Sequence, residues 1–164
     1  MRIFKSFSHA IRGIIYCIKN ERNMRFHSVV SVYVIILSYI FELSFEKLAV
    51  ILLTISAVLV SEMVNTAIEE LSDIWADDYN MCIKIVKDLS AGAVMISAFF
   101  SVLIGIIMFH DIQYYVKIFN FLRCYPLAVV GIIFLIIVSY LYVEWGPNKI
   151  KEKLKKVKLW FKKI

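Results

Sequence analysis

A stripe of polar side chains directly follows a long apolar run and consists of Glu62, Asn65, Glu69 and Asp73. Their spacings of three, four and four residues place all of them on one narrow stripe of an α-helix. A carboxylate inside or beside a membrane segment is costly and usually functional. An interfacial acid that reaches toward water would explain Glu62 alone, but it would not explain the aligned stripe.

Two further polar clusters flank apolar segments. The first covers residues 20–27 and the second residues 84–93, where Lys84, Lys87 and Asp88 share a helix face. Each cluster alone could be an ordinary charged flank of a membrane segment. Together with the stripe they supply acids for a divalent metal and cations for phosphates. Mg²⁺ commonly takes one or two carboxylates plus substrate phosphates, and phosphoryl transfer depends on positioning and charge neutralisation.

The motifs of soluble nucleotide-binding proteins do not occur. None of the five glycines lies in a GxxxxGK[ST] loop, and there is no HRD or DFG pattern. The three cysteines, Cys17, Cys82 and Cys124, lack metal-binding spacing and are interpreted as small buried or interfacial residues. The sequence therefore gives no support to a conventional soluble nucleotide-binding fold.

The polar clusters must be positioned by membrane helices. Of the 164 residues, 61% are hydrophobic, well above the roughly 45–50% of soluble domains. A loop is predicted at Asn20–Asn23, and a turn at Asp77, Asp78 and Asn80. Four apolar segments are predicted to cross the membrane: about Ser28–Phe41, Leu48–Val60 continuing as a helix to Ile74, Met81–Phe109, and Phe121–Val143.

Both ends of the chain are basic and amphipathic. Residues 3–19 have the pattern of a surface helix, and Gly146-Pro147 should end the fourth span. The tail Asn148–Ile164 reads as a basic amphipathic helix whose eight lysines suit anionic lipid headgroups. The basic flanks predict that both ends, and with them the three polar clusters, lie on the cytoplasmic side. Without a groove-reading motif, nucleic acid is not expected as a partner.

Three sequence blocks now allow a comparison with known families. The run Glu62–Asp73 reads E-M-V-N-T-A-I-E-x-x-x-D, preceded by Asn20-Glu21-Arg22-Asn23 with Arg25 and followed by Lys87-Asp88 leading into Ala91–Val94. In these blocks the chain resembles the small prokaryotic diacylglycerol/undecaprenol kinases over about residues 4–110. The resemblance implies an all-α membrane protein with an N-terminal amphipathic surface helix and three transmembrane helices. It also implies a homotrimer with active sites between subunits.

The resemblance assigns roles to residues of this chain. Glu62 matches the catalytic base, and Glu21 and Glu69 match the acids that hold the Mg²⁺ bound to ATP. Lys87 and Asp88 match a pair that contacts the nucleotide. The residues assigned to the supporting polar network are Asn65, Asp73 and Arg25. The chain departs from many relatives at Asn80, where they have His, and at Ile83 and Val86, where small residues are common.

The function expected from this resemblance is ATP-dependent phosphorylation of a lipid hydroxyl at the bacterial cytoplasmic membrane. Arg25-Phe26-His27 has the Arg-x-His form of undecaprenol-kinase-like members, so undecaprenol is the predicted substrate and diacylglycerol the alternative. A small transporter or assembly protein that uses an intramembrane Glu62 is the non-enzymatic alternative. The domain prediction is a kinase-like part, residues 1–112, and an extension, residues 113–164. The extension adds a fourth transmembrane helix and the basic tail, hypothesised to be an electrostatic anchor or a positive stop signal.

Overall fold

The computed structural model describes residues 2–75 and 80–161, with side chains described for residues 4–75 and 80–153. In this part of the chain every regular element is an α-helix, which confirms the predicted all-α fold class. The helices are α1 (Arg2–Asn20), α2 (Arg22–Ile40), α3 (Phe45–Ile74), α4 (Met81–Met108), α5 (Ile112–Cys124) and α6 (Pro126–Phe161).

Four of these helices are long and apolar enough to cross a membrane: α2, α3, α4 and the Pro126–Lys153 part of α6. This confirms the four predicted spans. Helix α1 presents apolar side chains such as Phe4, Phe7 and Ile11 to its surroundings, together with basic residues. It therefore has the character predicted for a helix that lies on the membrane surface.

Two predicted boundaries were wrong. The fourth span begins at Pro126 rather than Phe121, because proline cannot donate the backbone hydrogen bond that would continue α5, although it fits the first turn of α6. Helix α5 has 13 residues, hence a length of about 20 Å, too short to span the membrane. The predicted loop Asn20–Asn23 shrinks to Glu21 alone, because the Glu21 N–H still donates to the Cys17 carbonyl at 2.8 Å.

The chain forms two compact units: Met1–Val29 with Tyr125–Ile164, and Val30–Cys124. In the first unit α1 packs against α6. In the second unit α3 packs along α4, and its buried positions include both apolar and polar residues, namely Ile51, Val58, Glu62, Thr66 and Ser72. The domain division predicted at residue 112 is a separate question and stays a prediction.

The turn between α2 and α3 is attached to the start of α5 within the second unit. The Phe41 ring stacks on the Tyr114 ring at 4.6 Å between centroids and meets Phe109 edge-on at 5.8 Å. Next to it, Glu42 takes a left-handed backbone conformation, with φ of 51°, and its carboxylate lies 3.5 Å from Lys117 Nζ. These contacts anchor α5 at the end of the first two spans.

Helix α6 contains a break at Gly146, where φ is 62° and ψ is 169°. Essentially only glycine adopts this backbone conformation. The predicted interruption at Gly146-Pro147 is therefore confirmed, and a second helical stretch continues to Phe161. That the membrane span itself ends there stays a prediction. The side chains beyond residue 153, including the predicted membrane-inserting Leu154, Trp160 and Phe161, lie outside the described residues, as do Asp77 and Asp78 of the predicted turn.

Candidate functional site

The predicted base, Glu62, is enclosed in the protein. Its side chain is the largest that is fully buried among the described residues, with 2% of its surface exposed. One turn further along α3, the buried Thr66 hydroxyl donates a hydrogen bond to the Glu62 backbone carbonyl at 3.0 Å. A carboxylate removed from bulk water at the end of an apolar stretch is an unusual and chemically informative placement.

A hydrogen-bonded chain links α4 to the next acid of the stripe. The Ser90 hydroxyl donates to Asn65 Oδ1 at 2.7 Å, and Asn65 Nδ2 donates to Glu69 Oε1 at 2.8 Å. The Ser90 hydroxyl also lies 2.9 Å from the Lys87 carbonyl, and Ser90 is buried. Because both ends of the Asn65 amide are engaged, Ser90 orients Asn65 and Asn65 in turn orients the Glu69 carboxylate.

The last acid of the stripe makes a second link between the same helices. Asp73 on α3 forms an ion pair with Lys87 on α4. Asp73 is exposed, Lys87 is half-buried, and the neighbouring Asp88 is exposed. The predicted residues Asn65, Glu69, Asp73 and Lys87 are therefore brought together along one seam between α3 and α4.

Asn80, where the family resemblance led us to expect His, has a local structural role. It precedes the first turn of α4, and its Oδ1 accepts a hydrogen bond from the Cys82 N–H at 2.9 Å. Asn is among the residues preferred at this capping position, because its short side chain satisfies a backbone donor that the helix leaves unpaired. The Asn80 side chain thus stabilises the beginning of the helix that carries Lys84 and Lys87.

Glu21 and Arg25 lie in the first unit. Glu21 is half-buried at the junction of α1 and α2, and Arg25 is buried one turn later. Their predicted association with Glu69 and with the Asn65 network stays a prediction. In the described part of the chain, no group of three His, Cys, Asp or Glu side chains is arranged to hold a metal ion.

Sequence reasoning assigned no role to Ser90 or to Glu144. Ser90 follows Lys87 by three residues and so shares its helix face, a signal that could have identified it. Glu144 pairs with Arg22 at 2.7 Å, a contact between residues far apart in the chain that no local pattern indicates. Both residues join helices through polar contacts.

Comparisons with known proteins agree with this architecture. The family model described as "Prokaryotic diacylglycerol kinase" matches residues 8–109. A protein of Bacillus subtilis named undecaprenol kinase is 40% identical over 108 residues, which cover 66% of this chain and 88% of that protein. A protein of Synechocystis sp. named diacylglycerol kinase is 36% identical over 101 residues, covering 61% of this chain and 58% of that protein.

The helical membrane architecture and these matches define an integral membrane lipid kinase that uses ATP. More specifically, the chain belongs to the prokaryotic diacylglycerol kinase family. This confirms the resemblance expected over about residues 4–110 and sets aside the transporter and assembly-protein alternative. All of α5 and all of α6 lie beyond the matched region, which ends at residue 109.

Proposed function

We propose that this chain transfers the γ-phosphate of Mg-ATP to the terminal hydroxyl of undecaprenol, with Glu62 as the base. The observation that carries the proposal is the buried Glu62 carboxylate at the start of a stripe whose next member, Asn65, is hydrogen-bonded both to Ser90 of α4 and to Glu69. Such an arrangement suits a lipid hydroxyl at the membrane interface and a polar co-substrate beside it.

Undecaprenol is favoured over diacylglycerol by the comparisons. The relative named undecaprenol kinase is the more similar of the two, at 40% against 36% identity. The match also spans 88% of that protein but 58% of the one named diacylglycerol kinase. The Arg25-Phe26-His27 flank supports the same choice. Diacylglycerol remains the second candidate because both lipids present one primary hydroxyl on an apolar body.

In the proposed reaction, Glu62 accepts the proton of the lipid hydroxyl as its oxygen attacks the γ-phosphorus. A new P–O bond forms to the lipid, and the bond between the γ-phosphorus and the oxygen bridging to ADP breaks. The products are the lipid monophosphate and ADP. Burial of Glu62 keeps water away from the position that the lipid oxygen occupies, which favours transfer over hydrolysis.

The proposed metal ligands are Glu69 and Glu21. Bound Mg²⁺ would neutralise the negative charge of the phosphates during the transfer of the γ-phosphate. The Glu69 carboxylate fits this role because Asn65 fixes one of its oxygens, and the other is a hard oxygen donor. Lys87, with Asp88 beside it, is the proposed contact to the phosphates. An ion pair this exposed contributes only about 0–1 kcal/mol, so Lys87 can exchange Asp73 for phosphate at low cost.

The proposal also includes the assembly and orientation that the family resemblance implies. Three subunits would form a homotrimer with sites between them, and these sites would face the cytoplasm. The basic tail would contact anionic headgroups on the same face. Support for the orientation comes from the Lys and Arg residues that lie in α1 and at the start of α2, and from those that follow Gly146.

A lipid competition assay tests the substrate. Purified protein is placed in vesicles that contain undecaprenol and diacylglycerol at equal mole fractions, and phosphate transfer from labelled ATP is followed with and without Mg²⁺. We expect roughly tenfold or greater preference for undecaprenol, the discrimination that about 1.4 kcal/mol gives, and loss of transfer when Mg²⁺ is chelated. A preference for diacylglycerol would reverse the substrate assignment, and metal-independent transfer would remove the Mg²⁺ role.

A further inference from the structure

The junction that carries Glu21 is held by one arginine. Arg25 is 5% exposed, and its Nη1 donates to the carbonyls of Ile18 and Lys19, at 3.3 and 3.2 Å. These carbonyls belong to the last turn of α1, where no further helical turn supplies N–H partners. A cation at the C-terminal end of a helix also interacts favourably with the helix dipole. Arg25 therefore fixes the two helices on either side of Glu21.

The same guanidinium holds the end of the fourth span. Arg25 Nε donates to the Val143 carbonyl at 2.9 Å, three residues before the break at Gly146. Beside this bond, Arg22 pairs with Glu144 at 2.7 Å. Because Arg22 and Arg25 are one turn apart on α2, both contacts act on the same face of that helix. The C-terminal extension is thereby joined to the Glu21 junction by a buried hydrogen bond and an ion pair.

Gly146 makes this approach possible. A Cβ atom there would lie 3.1 Å from Arg25 Cζ and 3.1 Å from its Nη1. Its backbone conformation is one that residues with a side chain rarely adopt. Beyond the break, Lys153 Nζ lies 3.3 Å from the centre of the Trp145 ring. The bend is therefore fixed on both sides of Gly146.

We infer that the C-terminal extension positions Glu21 for nucleotide binding, through a clasp formed by Arg25, Val143, Gly146 and the Arg22–Glu144 pair. The inference rests on the proposed role of Glu21 as a ligand of the nucleotide-bound metal. Val143, Glu144 and Gly146 all lie outside the region that matches the family. In this chain, tight binding of Mg-ATP thus depends on the fourth span, which acts as more than a headgroup anchor.

Two glycine variants of the full chain test the clasp. In Gly146→Ala the added methyl group and the unfavourable backbone conformation displace Val143 from Arg25. In the control Gly131→Ala, on the same helix, a Cβ would meet nothing within 4 Å. We expect Gly146→Ala to raise the KM for Mg-ATP roughly 5–10-fold while kcat and the KM for lipid change less than about twofold, because the nucleotide binding that is lost is equal in the ground state and the transition state. Gly131→Ala should match the wild type.

A second pair of variants tests the clasp if Gly146→Ala does not accumulate in the membrane. Glu144→Gln removes the ion pair of the clasp, and Glu42→Gln removes the Glu42–Lys117 pair of the other unit. We expect a roughly two- to threefold rise in the KM for Mg-ATP with the first and no rise with the second, as suits exposed ion pairs. A rise in the KM for Mg-ATP in both variants, or in neither of them, would overturn the clasp.

Glu21→Gln, measured alongside, separates a failure of the clasp from a failure of the proposed role of Glu21. If it raises the KM for Mg-ATP and the Gly146→Ala and Glu144→Gln variants do not, the clasp is wrong and the metal-ligand proposal stands. If Glu21→Gln leaves the Mg²⁺ and ATP dependence unchanged, the proposed role of Glu21 fails, and the clasp's effect on nucleotide binding fails with it.

Discussion

The α3–α4 pair and helix α6 are both apolar enough to cross a membrane, yet they use polar residues in opposite ways. Along α3, polar side chains follow the buried Glu62, and the seam with α4 carries the Ser90–Asn65–Glu69 hydrogen bonds and the more exposed Asp73–Lys87 pair. The span of α6 exposes apolar side chains such as Leu127, Val130 and Phe134, and its polar contacts gather at its end. The comparison separates two helices that are joined by polar contacts between them from a helix whose polar contacts lie at one end.

The largest effect on activity is expected at Glu62, the most buried residue of the polar stripe. Glu62→Gln keeps the shape of the side chain but removes the base, so lipid phosphorylation should fall at least about 100-fold. Initial rates in vesicles measure the change, with circular dichroism to verify folding. The exposed acid Glu42, changed to Gln, is the matched control and should retain activity. Near-normal turnover by Glu62→Gln would remove the base assignment.

The next effect is expected at the second acid of the stripe, Glu69. Glu69→Gln should raise the KM for Mg-ATP and the Mg²⁺ concentration for half-maximal rate by roughly tenfold, because a charged oxygen ligand is replaced by a neutral one. The KM for lipid should stay close to that of the wild type. Titrations of Mg²⁺, ATP and lipid, each with the others saturating, provide the comparison. A change confined to the lipid KM would show that Glu69 does not serve the metal.

A smaller effect is expected from the α4 side of the seam. Ser90→Ala removes the donor that orients Asn65, and the rate should fall roughly 3–10-fold, as the loss of one neutral hydrogen bond of about 1 kcal/mol suggests. Combined with Asn65→Ala, the losses should be less than additive. Ser101→Ala is the control, since Ser101 bonds to the Ala98 carbonyl of its own helix. Full additivity would show that Ser90 acts independently of Asn65.

The smallest effect is expected in the apolar span of α6. Val130→Leu and Ile133→Leu alter side chains that are 64% and 53% exposed, so they do not disturb a packed protein core. Rates and the KM for Mg-ATP should stay within about twofold of the wild type, the range of ordinary surface substitutions. Kinetics in the same vesicles provide the test. A tenfold loss would show that this span packs within the functional site, and the contrast with α3 and α4 would be lost.

Local patterns in the sequence were sufficient to predict much of the α3–α4 seam. The spacing of Glu62, Asn65 and Glu69 follows the helical repeat, and their position after an apolar run indicated a membrane-embedded site. The start of the fourth span could not be located in this way, because Phe119, Phe121 and Leu122 of α5 are as apolar as the residues after Pro126. Only the backbone restriction of proline separates the two helices.

The contacts of the clasp were beyond sequence reasoning for a different reason. From the sequence, Arg25 was assigned to the supporting polar network, Arg22 was placed only within a family-like block, and Glu144 was assigned no role. Their pairing joins opposite ends of the chain, so no periodicity indicates it. The break at Gly146 was correctly predicted, but its close approach to Arg25 depends on tertiary packing.

The most direct test of the account follows the γ-phosphate itself. Purified wild-type protein in vesicles that contain undecaprenol receives labelled ATP and Mg²⁺, and ADP, inorganic phosphate and lipid phosphate are all quantified. The account predicts one labelled lipid monophosphate for each ADP formed, and loss of both products in Glu62→Gln. Label that appears as inorganic phosphate instead of lipid phosphate, or equal lipid labelling by the wild type and Glu62→Gln, would contradict it.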